Sequence, residues 1–87
     1  MEPDCIALWE PPPEDHAAWQ GLTGEAMTNE EYLTLLAAVQ ADQERQGRTV
    51  RRARFSVARM RQELSDRDWP NDPPHRAAVT GLVAAGG

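Results

Sequence analysis

The sequence has no lysine; its nine basic residues are all arginine. Its single cysteine, Cys5, excludes an intrachain disulfide and fits a reducing compartment. No apolar run is long enough to span a bilayer, and the first residues lack the basic start and apolar centre of a signal peptide. These absences set the expectation of a cytoplasmic protein with no membrane partner. Ile6 is the only isoleucine, which together with the missing lysine points to a GC-rich genome. The patterns of catalysis are missing too. There is no paired-carboxylate cluster, no nucleophile–base arrangement and no glycine-rich phosphate loop. His16, His75 and Cys5 lack metal-ligand spacing. The expectation is therefore a protein that is not an enzyme and uses no cofactor or metal.

What remains is informative in its distribution. The chain has 87 residues, 40% of them hydrophobic, which suits one small domain with a modest core. Its formal charge of -5 conceals a split. Residues 1–44 hold ten acids and no base, whereas residues 45–87 hold all nine arginines and only four acids. Six arginines crowd into RTVRRARFSVARMR, residues 48–61. A charge asymmetry this sharp is a statement about partners.

Residues 1–27 read as an acidic, proline-rich N-terminal arm. Pro11 to Pro13 favour an extended conformation, and residues 14–21 suit one or two helical turns ended by Gly21. A helical domain over 28–87 follows. Thr28 and Glu31 form a capping box, and Tyr32, Leu33, Leu36 and Val39 recur at helical spacing, predicting a helix over 29–46 that stops at Gly47. Residues 48–55 suit a loop or one short strand. Ser56 caps a helix over 57–65, with Phe55 and Met60 as a hydrophobic staple and Val57, Met60 and Leu64 on its buried face. After a loop at 66–72, Asp72 and Pro73 open a last helix that runs to Gly86.

The predicted fold is thus all-α: a small three-helix domain, with room for one short strand, behind an extended arm. Its element order resembles that of winged-helix and helix-turn-helix DNA-binding proteins. The helix over 29–46, the stretch FSVARMRQEL and the stretch PPHRAAVTGLVAAG carry the likeness, which covers roughly residues 28–87 and lacks the wing. The resemblance implies a small DNA-binding or transcription-regulatory protein, acting as a dimer on two half-sites.

On this reading Arg48, Arg51, Arg52 and Arg54 contact phosphates, Arg59 and Arg61 extend that surface, and Arg76 enters or borders the groove of the DNA. Arginine suits the task because its planar fork of donors matches phosphate oxygens, and several on one surface release condensed counterions. The plainer alternative is that the acidic half of the chain pairs with these arginines internally. The competing functional reading is a non-enzymatic protein-interaction module, such as a small phage or host regulator that docks on a larger protein. There Trp9, in the arm, is the candidate partner contact, since tryptophan is enriched at interfaces. Trp69 is expected to pack at the margin of the core.

Overall fold

In a computed structural model, which describes residues 4–86, two short strands organise the chain. Strand β1 (Cys5–Trp9) pairs in parallel with β2 (Thr49–Ala53), with Cys5 opposite Thr49 and Trp9 opposite Ala53. Ile6 and Trp9 in β1, and Thr49 and Val50 in β2, favour an extended backbone. Pro11 and the prolines after it end β1, because proline cannot donate to a ladder. Parallel strands need a long crossover, and two helices supply it: α1 (His16–Thr23) and α2 (Asn29–Arg45). A single 3-10 turn, Pro13–Asp15, leads into α1. Helices α3 (Val57–Asp66) and α4 (Pro73–Ala84) follow β2.

The fold is therefore not the all-α three-helix domain with an extended arm that the sequence suggests. Among the described residues there are four helices and a two-stranded parallel sheet. The reason is that Cys5–Trp9 has no local partner. Its strand character depends on residues far along the chain, which composition does not reveal. Residues 1–3 of the expected arm, and Gly87, lie outside the described residues.

Side chains alternate across a strand. Trp9 and Ala53 share one face of the sheet and join the main core, together with Val79 of α4. Leu8, Val50 and Arg52 lie on the other face, where Arg52 Nε donates to Gln40 Oε1 of α2 at 3.0 Å. The sheet is thus a middle layer between α4 and α2. Met60 and Val79 are fully buried at the centre, with Trp19, Leu22, Phe55, Val57 and Leu64 around them. Trp69 packs against this cluster from its edge.

The helix starts follow their predicted chemistry. Thr28 Oγ1 accepts from the Glu31 N–H at 3.1 Å, and Glu31 Oε1 accepts from the Thr28 N–H at 2.9 Å. Ser56 Oγ accepts from the Arg59 N–H, and Asp72 Oδ1 from the His75 N–H, each at 3.0 Å. One cap comes from a distance: Asp15 makes no cap bond to its own helix, but its Oδ2 accepts from the Val57 N–H at 3.0 Å. Two donors that helix geometry leaves unpaired at the start of α3 are satisfied in this way.

Helix α1 differs from expectation in its end. It passes through Gly21 and stops at Gly24, whose φ of 76° is the left-handed conformation that terminates helices. Gly21 is exposed within the helix, and an added Cβ there meets nothing within 4 Å. Gly21→Ala is therefore expected to stabilise the protein by about 0.5–1 kcal/mol through helix propensity and a less free unfolded chain. A rise in the urea midpoint at constant slope checks this.

Candidate binding groove and arginine strip

The arginines expected to act together meet different surroundings. Strand alternation sends Arg51 and Arg52 to opposite faces of β2. Arg52 Nη1 reaches Glu10 Oε1 at 2.8 Å, and Arg54 Nε reaches Glu10 Oε2 at 2.9 Å. One carboxylate just beyond the end of β1 thus binds two arginines of the strip. The Glu10 side chain is only 16% exposed, against 26% for Arg52 and 74% for Arg54. Hydrogen bonding from Arg52, and then the charge of Arg54, hold the Glu10 carboxyl below its usual range, although burial opposes the shift.

Other arginines also have partners within the chain. Arg48 Nη1 donates to Gln43 Oε1 and to Gln46 Oε1, both at 2.7 Å. Glu63 pairs with Arg59 at 3.7 Å and with Arg67 at 2.6 Å. Arg76 Nη1 donates to Asn71 Oδ1 at 2.6 Å. Arg51 and Arg61 are exposed, and neither forms an ion pair among the described residues. Pairing with the acidic half of the chain therefore accounts for Arg52 and Arg54, through Glu10, whereas the ion pair of Arg59 with Glu63 lies within the basic half.

Trp9 lies in the fold rather than out in an arm. It is 7% exposed, stacks on Phe55 with ring centroids 5.3 Å apart, and donates from Nε1 to the Phe55 carbonyl at 3.0 Å. With Trp19 it forms the inner wall of a groove of about 300 Å³. Five parts of the chain build this groove: β1 through Trp9, α1 through Trp19 and Thr23, the α1–α2 connection through Glu25 and Met27, α2 through Tyr32 and Leu35, and α4 through Pro73 and Arg76.

Its walls are held by specific contacts. The Tyr32 hydroxyl donates to the Trp9 carbonyl, and its ring tilts against Trp19 at a centroid distance of 4.5 Å. Burial, aided by the negative charge of Glu10, pushes the Tyr32 hydroxyl up to about 12, so it remains a donor at neutral pH. Gln20 Nε2 donates to the Met27 carbonyl at 3.0 Å, and His16 Nε2 lies 2.8 Å from the same oxygen. These bonds fix the connection that carries Glu25 and Met27. Asn71 fixes the other side: its Nδ2 donates to the Leu22 carbonyl at 2.8 Å while its Oδ1 orients Arg76.

The groove combines an aromatic floor, an exposed apolar lip at Leu35 (46% exposed) and two opposite charges, Glu25 and Arg76, that do not pair with each other. This arrangement suits binding. Among the described residues no group of three or more His, Cys, Asp or Glu side chains is placed to hold a metal ion. No helix among them is long and apolar enough to cross a membrane.

Sequence reasoning singled out Trp9 and Arg76 separately and missed that they line one groove. It also missed Glu10. The available signal was Glu10's position between the apolar run Cys5–Trp9 and Pro11, which marks a strand end. No protein-family model, curated protein or solved structure matches the chain.

Proposed function

We propose that the protein is a non-enzymatic interaction module that docks on a larger protein through the groove between α1, α2 and α4. The groove carries the reading: it has a volume of about 300 Å³ and an aromatic floor, with Leu35 left 46% exposed at its lip. Such a site accepts an apolar anchor residue, and aromatic anchoring in desolvated pockets dominates many protein interfaces. The arginine strip favours the same reading. Glu10 offsets part of the charge of Arg52 and Arg54, and Glu63 part of that of Arg59, which weakens the strip's attraction for phosphates.

Arg51 and Arg61 are the observation on the side of DNA, because both stand exposed on the basic half of the chain. One experiment separates the two readings. The protein and two variants, Leu35→Gln and the double change Arg51→Ala with Arg61→Ala, are used to capture partners from a lysate of the source cells, with and without nuclease. The groove reading expects a nuclease-resistant partner that Leu35→Gln loses and the arginine variant retains. Capture that disappears with nuclease and with the arginine variant assigns the protein to nucleic acid instead.

A further inference from the structure

We infer that the groove receives the C-terminal residue of a partner chain, an apolar side chain on the aromatic floor with its free carboxylate on Arg76. This inference rests on the groove reading and names its ligand. Three observations carry it. The first is size. At about 300 Å³ the groove is at the lower end of the range for whole small-molecule ligands, so it suits one side chain whose main chain continues outside.

The second is the state of Arg76. Arg76 lines the groove, and of its guanidinium donors only Nη1 has a partner, Asn71 Oδ1, leaving Nε and Nη2 uncommitted among the described residues. Asn71 is itself anchored on the Leu22 carbonyl, so the guanidinium is held from behind with part of its fork presented. A planar fork with free donors is the arrangement that binds carboxylates, and capture of a chain terminus is a recurring mode of peptide recognition.

The third is Glu25. This exposed carboxylate lines the same groove and has no ion pair among the described residues. It repels a second negative charge. A single carboxylate placed on Arg76 beside an apolar side chain meets less of this repulsion than a run of acids does.

The test uses the full chain with N-acetyl-L-leucine and N-acetyl-L-leucinamide, which differ only in the terminal charge. Two-dimensional NMR follows the indole signals of Trp9 and Trp19 and the amides of Leu35 and Arg76. The acid is expected to give saturable shifts there, with the amide about ten-fold weaker, as fits loss of one charge-assisted contact. Arg76→Gln is expected to abolish the difference between acid and amide. Arg76→Lys, which keeps the charge without the fork, restores part of it, and Arg61→Gln leaves it unchanged.

Equal binding of acid and amide overturns the carboxylate assignment while leaving the groove as an apolar docking site. Absence of saturable shifts for both overturns the inference. The Leu35→Gln capture experiment then decides the groove reading by itself.

Discussion

Trp9→Ala is expected to destabilise the protein by about 3–5 kcal/mol, the usual cost of emptying a large aromatic site in a core. Trp9 is buried, stacks on Phe55, bonds the Phe55 carbonyl and stands opposite Ala53 across the sheet. A small domain has about 5–15 kcal/mol in total, so this one change removes a large share of the margin. Trp9→Phe keeps an aromatic ring but loses the indole donor, and should cost less. Urea denaturation followed by far-UV circular dichroism measures both. An unchanged midpoint for Trp9→Ala would contradict the placement of β1 in the core.

Glu10→Gln is expected to cost about 1–2 kcal/mol at neutral pH. Replacing the shared carboxylate leaves the half-buried Arg52 without its countercharge, while the largely exposed Arg54 contributes little. The pH dependence has a definite sign. The folded carboxyl titrates below its ordinary value of 4.5, so its contribution is complete above that value and disappears as acid protonates the folded form. The gap between wild type and Glu10→Gln should therefore be widest near neutrality and close on acidification. Stability curves at several pH values read it directly. A gap that stays constant down to strongly acidic pH would mean that the charge of Glu10 does not stabilise the fold.

Much of the helical part was legible because its signals are local. Thr28, Ser56 and Asp72 announce helix starts within three residues of the donors they satisfy. Val57, Met60 and Leu64 fall on the buried face that their spacing predicts. The expected ends, 46 and 65, lie one residue from the observed Arg45 and Asp66, within ordinary fraying. The strand pair was not legible in this way. CIALW takes its conformation from TVRRA, and proline-rich surroundings made it resemble an arm. The site was hidden for the same reason. A count of arginines does not show that Arg51 and Arg52 face opposite ways, nor that one glutamate, distant in sequence, binds two of them. The groove needed β1, α1, α2 and α4 all in place before its outline existed.

The parallel pairing of β1 with β2 also has a temporal side. Cys5–Trp9 is synthesised before Thr49–Ala53, so the first strand has no partner until both crossover helices have been made. Until the strands pair, Trp9 and Ile6 lack their native cover, and they sit among acids whose mutual repulsion opposes sticking between unfolded chains. The uneven distribution of charge, read first as a clue to partners, thus also serves the protein before it has a fold.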